Sequence, residues 1–338
     1  MPHAVALGLL HGPTELLPIS SSAHTTLLPW LAGWPYEQLD PGLRKSFEVA
    51  LHAGTAVALL LRPPSGSRPR DHDTATASGC VHSTPERPIT SPVFLLAALA
   101  PPALAGFAFG ERIERRLGAP SKIAYGLLAG SAAMAGAEVY KKWHAPRARA
   151  GHRHFGGNDL QAQRPAPDPN VHTATARVKQ TTATETCERR VGTPPGSSAD
   201  VRDGLALGLA QALALIPGVS RSGATFAAAR ARGFSPREAD QLSWMVGLPV
   251  IAGATMLQGT RLVRRQARAD EPRTAMKALA VGGAGAFLST LASSKALDSH
   301  RRAQLLAACI AYRCVLAAYV IRHMRDNTSQ HAPSNPKK

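Results

Sequence analysis

Uncharged apolar runs as long as a bilayer core is thick decide what this chain can become. Ser91 to Gly110, "SPVFLLAALAPPALAGFAFG", and Gln241 to Thr260, "QLSWMVGLPVIAGATMLQGT", carry no charged side chain, and about 20 residues of helix cross the hydrocarbon region. Shorter or interrupted runs follow the same pattern: Val49 to Leu61, Ile123 to Ala137, Gly204 to Ser220, Ala278 to Ser294, and Ala303 to Ile321, which Arg313 interrupts. Their Gly and Ala content suits helices whose backbones approach closely in lipid. The chain therefore reads as an all-α, multi-spanning membrane protein, with a soluble enzyme of buried helices as the alternative. The mean hydropathy of -0.09 hides this. Residues 62–90 and 141–203 are rich in Pro, Thr, Arg, His and Asp and dilute the average; they read as loops or disordered inserts.

The formal charge of +17 over 338 residues raises nucleic acid as a partner. Most of the Lys and Arg lie in the inserts and between apolar runs, where they meet lipid headgroups or follow the positive-inside bias. No aromatic-basic motif accompanies them, so no nucleic acid is expected. Cys80, Cys187, Cys309 and Cys314 form no CxxC pair, which argues against a zinc ribbon or a disulfide framework. The first apolar run lacks a basic leader and a small-residue cleavage site, so it is expected to be retained.

Two stretches share a design: "GLLHGPTELLPISSSAH" from Gly8 and "GLAQALALIPGVSRSGAT" from Gly208. Each begins Gly-Leu, sets a polar residue three places on (His11, Gln211), reaches a proline (Pro18, Pro217) and breaks into hydroxyls. Proline removes a helical N–H and disfavours helix at the residue before it, so both runs should break there. Too short to span, they would fold as re-entrant pairs, and irregular backbone at membrane depth is tolerated only inside protein or around a cavity. Such weak internal symmetry marks inverted-repeat folds whose broken helices build the site together. The chain divides accordingly. Residues 1–61 hold a first re-entrant pair and a spanning helix, 62–90 an insert, 91–140 two spanning helices, and 141–203 the second insert. A second re-entrant pair follows at 204–234, then three spanning helices at 235–322 and a polar tail at 323–338.

Ser20, Ser21, Ser22 and His24 follow the first break, and Ser220, Arg221, Ser222 and Thr225 the second. Ionisable groups at membrane depth are functional candidates by default, which singles out Glu15, His24 and Arg221. An arginine fork, several hydroxyls and the free N–H groups of a restarting helix are what a phosphate needs. Glu15 adds a hard oxygen ligand for Mg²⁺ or Ca²⁺. His24 suits proton transfer, with a neighbouring Ser or a metal-held water as the nucleophile. Taken singly, each has a plainer role: a hydroxyl bonded back to its own helix, an interhelical arginine pair or a snorkelling arginine, a structural histidine. At both breaks together they favour a phosphate site.

"GPTELLPISSSAH" and "PGVSRSGAT" resemble the two signature motifs of the undecaprenyl-diphosphate phosphatase family, the bacitracin-resistance proteins. "SFEVALHAGTAVALLL", "SPREADQLSWMVGLPVIAGA" and Tyr312-Arg313 extend the likeness over nearly all of the chain except the inserts. The resemblance implies a multi-pass enzyme of the bacterial cytoplasmic membrane that hydrolyses undecaprenyl diphosphate to the monophosphate with a divalent cation. It implies about six spanning helices, two re-entrant pairs and a site opening to the outer face. Motif by motif, it makes Glu15, Ser21 and His24 catalytic and Arg221, Ser220, Ser222 and Thr225 diphosphate-binding; taken with the residues' own chemistry, Arg221 joins the catalytic set, Glu15 is the metal ligand, and Ser20 and Ser22 join the substrate-binding set. A polyprenyl diphosphate is then the expected partner, and a homodimer stays open.

One departure stands out. The family motif E-G-x-T-E carries two acidic residues four apart, and this chain has His11-Gly12-Pro13-Thr14-Glu15. Positions 11 and 15 share a helical face, so an imidazole stands where a second metal ligand or base is expected, and imidazole is a poor ligand for Mg²⁺ or Ca²⁺. His52 likewise stands where the family often has an uncharged polar residue. A lipid-phosphate transporter or a weakened homologue that holds the carrier lipid therefore remains an alternative. The type-2 phosphatidic acid phosphatases are set aside: they need a histidine six places after the arginine, and Ala227 is there. The basic segment Arg261 to Lys277 offsets the charge of the two inserts, so the Lys and Arg bias does not orient the chain.

Overall fold

The computed structural model describes residues 1–36, 38–62, 91–144, 199–266, 273–297 and 299–330. Among them are eleven α-helices and no strand: α1 Pro2–Leu16, α2 Ser21–Leu31, α3 Pro41–Leu61, α4 Pro92–Leu117, α5 Pro120–His144, α6 Val201–Leu213, α7 Arg221–Ala231, α8 Pro236–Gln266, α9 Arg273–Ala296, α10 Ser299–Gln304 and α11 Leu306–Gln330. By length and composition four segments can cross a membrane: Pro92–Leu117, Pro236–Thr260, Thr274–Ala296 and Leu306–Asp326. Outward-facing Leu96, Leu104, Phe107, Met256, Leu288 and Val315 give this bundle an apolar exterior, which suits lipid rather than water. The inserts at 62–90 and 141–203 fall largely outside the described residues. Helices reach into the second from both sides, since α5 continues to His144 and α6 begins at Val201.

Local chemistry explains where the helices start. Asp40 accepts Leu43 N at 3.1 Å ahead of Pro41, and Ser91 accepts Phe94 N at 3.1 Å ahead of Pro92. Both place a capping oxygen and then a proline where its missing N–H costs nothing. Asp200 and Asp203 form a reciprocal capping box at the head of α6.

The breaks are where backbone conformation departs furthest from the ordinary. Leu17 is extended at φ -89°, ψ 151°, the conformation Pro18 imposes on the residue before it. Among the described residues, Ser20 and Ser220 are the only non-glycine residues with positive φ, at 74° and 73°. Each is the N-cap of the next helix, α2 or α7. Such backbone costs about 1–3 kcal/mol and persists only where the surroundings impose it. The matching serines keep the register of Gly8 with Gly208 and His11 with Gln211: with Ser20 opposite Ser220, Pro18 lies opposite Gly218, itself at φ 95°, and Pro217 opposite Leu17.

Glycines then set the packing. α1 runs along α9 and α6 along α4, and in both pairs a glycine at the same register lets backbones touch. A methyl group on Gly8 would lie 2.6 Å from Gly282 O, and one on Gly208 would lie 2.6 Å from Ala97 O. One apolar core lies among α4, α6, α7 and α8 around Phe94, Leu207, Phe226 and Leu242; another joins α2, α5 and α11 through Leu27, Leu127 and Val320. The second broken segment, α6 and α7, is part of the first core and α2 of the other, while α1 packs into further clusters through Leu7 and Leu16.

Gly208→Ala should lower thermal stability in detergent by about 1–3 kcal/mol, the usual cost of overpacking. Gly110→Ala, where nothing lies within 4 Å of the added methyl, should leave it unchanged or slightly raised; equal melting temperatures for the two variants would contradict this packing.

Candidate active site

Both breaks leave carbonyl groups without helical partners, and one side chain collects them. Arg313 on α11 is fully buried, with 0 % exposure. Its Nη1 donates to Pro18 O at 3.0 Å, and its Nη2 to Gly218 O at 2.9 Å, Val219 O at 3.0 Å and Leu127 O at 3.0 Å. Nε donates to Ser131 Oγ at 3.0 Å. One guanidinium thus ties the first break to the second, and brings a positive charge to them through neutral acceptors.

Glu15, at the end of α1, stands at the junction. Ser21 Oγ donates to its Oε2 at 2.5 Å, and Arg221 Nη2 to its Oε1 at 3.0 Å. All three are at least four-fifths buried, with Arg221 at 15 % and Glu15 at 9 % side-chain exposure. Arg221 rests on the ring of Trp244, 5.6 Å from its centroid, and Arg302 covers that ring 5.7 Å away. Arg302 is itself clasped by Asp240 through Nε and Nη2. Gly247 leaves the space that the Arg221 guanidinium fills. Arg221 Nη1 is buried with no hydrogen-bond partner, a donor set for an anion.

His24 lies one turn into α2. Its Nδ1 is 2.7 Å from Ser20 O and its Nε2 2.8 Å from Tyr312 Oη. A carbonyl only accepts, so Nδ1 carries the proton of the neutral ring. The remaining hydroxyls divide. Ser20 and Ser22 face each other at 3.3 Å, as do Ser220 and Ser222. Thr225 turns inward, donating to Arg221 O at 2.9 Å and meeting Ser243 Oγ at 2.5 Å.

His11 is wholly buried, with Nδ1 3.0 Å from Thr55 Oγ1. His52 packs edge-on against it, ring centroids 4.6 Å apart. Ligand atoms of His11, Glu15 and His52 all lie within 4.8 Å of one another. This donor set, two imidazoles and one carboxylate, does not fit the all-oxygen shell that Mg²⁺ and Ca²⁺ prefer.

Of the residues singled out in the sequence, the structure joins Glu15, Ser21 and Arg221 directly and sets His11 beside Glu15. His24, Ser20 and Ser22 form the opening of α2, and Ser220 and Ser222 that of α7. Thr225 is spent on the helix and on Ser243 rather than turned outward. The residues that sequence reasoning did not assign to the site are His52, Thr55, Trp244, Tyr312 and Arg313. Arg313 and His52 could have been found by one rule, that an ionisable group inside an apolar run is a functional candidate. Thr55 and Trp244 carried no comparable signal.

Comparison with known proteins decides the family. The family model described as bacitracin resistance protein BacA matches residues 4–163 and 169–319. This chain belongs to the BacA family. An undecaprenyl-diphosphatase of Geobacter sulfurreducens is 33 % identical over 294 residues, 85 % of this chain and 86 % of the relative. One from Geobacter metallireducens is 32 % identical, covering 78 % and 77 %, and one from Thermomicrobium roseum is 33 % identical, covering 79 % of each. As a BacA-family chain, it carries imidazoles at positions 11 and 52, packed edge-on beside Glu15.

Arg313→Lys tests the junction. An ammonium offers three donors in place of a planar fork, so some of the five acceptors lose their partner, and stability in detergent should fall by about 1–3 kcal/mol. A melting temperature equal to the parent would mean that Arg313 does not hold the breaks together.

Proposed function

We propose that this chain hydrolyses undecaprenyl diphosphate to undecaprenyl phosphate and inorganic phosphate, recycling the lipid carrier of cell-wall synthesis and conferring bacitracin resistance. The observation that carries the reading is the buried Ser21–Glu15–Arg221 relay, which crosses from the first break to the second. A hydroxyl, a carboxylate within hydrogen-bond reach and a cation orienting that carboxylate make an activated nucleophile. The undecaprenyl-diphosphatase name of relatives that cover most of the chain supports the same substrate.

In this reading Arg221, through its unpartnered Nη1, and the hydroxyls of Ser20, Ser22, Ser220 and Ser222 hold the diphosphate against the N-termini of α2 and α7. Ser21 Oγ attacks the terminal phosphorus and its proton passes to Glu15 Oε2. The bond to the bridging oxygen breaks, and undecaprenyl phosphate leaves with the electron pair. Water then attacks the phosphoserine and gives its proton to His24 Nε2; the bond from phosphorus to Ser21 Oγ breaks, Oγ recovers the proton held by Glu15, and inorganic phosphate leaves, taking up the proton from His24. The cations Arg221 and Arg313 stand where negative charge gathers in the transition state, which is the main contribution available to phosphoryl transfer.

The finer architecture belongs to the same proposal. α1–α2 and α6–α7 act as re-entrant pairs related by an inverted repeat, with α3, α4, α5, α8, α9 and α11 as six spans in the bacterial cytoplasmic membrane. Supporting this, the breaks share their positive-φ serines, and each first helix packs on a helix of the other half, α1 on α9 and α6 on α4. The wetter ends of α3 and α5, with Lys45, Glu48, Lys141 and Lys142, would meet headgroups.

Phosphate release from a polyprenyl diphosphate by the purified chain in detergent tests the relay. Ser21→Ala and Glu15→Gln should each reduce the rate by about 10³-fold or more, and the double variant by little more than either alone, as for residues acting as one unit. Multiplied losses, or a Ser21→Ala enzyme within about tenfold of the parent, would remove Ser21 as the nucleophile.

A further inference from the structure

We propose that His11, Glu15 and His52 form a binding site for a zinc-type transition-metal ion, placed against the phosphate-binding break. What the ion does in turnover rests on the phosphatase reading above; its binding does not.

The argument begins with hydrogen-bond direction. Thr290 Oγ1 donates to Ala286 O at 2.7 Å, so toward Thr55 Oγ1, 3.1 Å away, it can only accept. Thr55 therefore spends its own proton on Thr290 and accepts from His11 Nδ1 at 3.0 Å. His11 is thereby held as the Nδ1–H tautomer, with the lone pair on Nε2. That atom is buried and has no hydrogen-bond partner, although a buried polar nitrogen ordinarily has one. His52 is oriented in the same way. Its Nδ1 lies 2.8 Å from Glu48 O, a group that only accepts, so its lone pair too is on Nε2.

Two imidazoles beside one carboxylate thus carry their lone pairs on Nε2, that of His11 buried and unpartnered, each with its other nitrogen anchored to an oxygen. That outer support is the usual arrangement around metal-bound histidine. Glu15 accepts one hydrogen bond on each oxygen, and a carboxylate has about four lone-pair sites, so coordination need not displace Ser21 or Arg221. The ligand atoms lie within 4.8 Å of one another. Metal–ligand bonds of about 2.0–2.2 Å require them to draw together, which side-chain rotation can provide. Three protein ligands leave a position open, as in catalytic rather than structural sites, and phosphate oxygens are the anions at hand. Imidazole selects Zn, Fe, Ni or Cu over Mg and Ca. The plainer account, two histidines packed edge-on as core, leaves the dry Nε2 of His11 unexplained.

Cobalt(II) is the probe. The full-length chain in detergent, stripped with a chelator, is titrated with Co²⁺ and followed by its visible absorption, then challenged with Zn²⁺, Mg²⁺ and Ca²⁺. The expected result is an intense nitrogen-ligand spectrum that Zn²⁺ removes and excess Mg²⁺ or Ca²⁺ does not. His11→Gln with His52→Gln should abolish it. Thr55→Val, which keeps the shape but removes the acceptor for His11, should weaken binding about 10–100-fold. His11→Glu should shift preference toward Mg²⁺ and Ca²⁺. A spectrum that survives in the double glutamine variant comes from other histidines or cysteines and overturns the proposal. So does a folded chain that binds no Co²⁺ while still releasing phosphate, an outcome that leaves the phosphatase standing. Binding as expected with no phosphate release under any metal does the reverse: it supports the site and sinks the phosphatase.

Discussion

Everything at the centre of this molecule depends on satisfying backbone that has left the helix where no water is available. A broken helix inside a bilayer exposes carbonyls that cost several kcal/mol each if unpaired. Here the cost falls on two breaks at once, and Arg313 meets both, reaching Pro18 O on one side and Gly218 O and Val219 O on the other. A lysine could not span these acceptors, because the planar fork is what reaches two segments from a single stem. The glycines of α5 follow from the same requirement: methyl groups at Gly126 and Gly130 would collide with Pro217 O and Val219 O. A structural cation thereby becomes an electrostatic one, since its charge sits behind the carbonyls rather than against a carboxylate.

The breaks themselves were the most legible part of the chain. Pro18 forces the extended Leu17 and Ser20 takes the N-cap position of the restarting helix, without a side-chain cap bond, so sequence and backbone agree on where the helix breaks; at the second break Ser220 Oγ does cap, accepting from Gly223 N at 3.3 Å. Pro217 sits one place off Pro18 in the common register, because the geometry shared by the two turns lies in the positive φ of Ser20 and Ser220 and not in the proline. Helix ends were less legible. Nothing in the polar composition around 141–144 announces that α5 continues through His144, since Lys, Tyr and Trp are tolerated at the wet end of a long helix as readily as in a loop. Glu15, Ser21 and Arg221 could be named from motif and burial cost. That Ser21 and Arg221 would both bond to Glu15 could not, because the pairing depends on α1 and α2 folding back on each other and on α7 arriving from the other half.

His52 illustrates a different limit. On α3 it is one apolar-run histidine among many possible bystanders, and its ordinary fate would be a core position. Its meaning comes from Glu48 O, which orients the ring, and from His11 on α1, 41 positions earlier in the chain. Glu48 lies one turn earlier on the same helix, but His11 is not visible in any local pattern. The hydrogen-bond chain through Thr55 and Thr290 is still less so, because it joins α1, α3 and α9 and its direction is set by the last acceptor, Ala286 O.

That chain of threonines also settles how the imidazole at position 11 should be understood. A carboxylate there would need donors on every side to be stable in a dry interior, whereas Thr55 is committed as a donor to Thr290 and can only accept from position 11. A neutral ring with one N–H satisfies Thr55 and leaves one lone pair, and nothing more, facing Glu15. The surroundings are thus matched to a neutral imidazole, which is what a site for a nitrogen-seeking ion requires. Glu15, held between Ser21 and Arg221, keeps the same two partners whichever ion sits beside it, so the nucleophile and the anion site can persist while the metal chemistry at their flank changes.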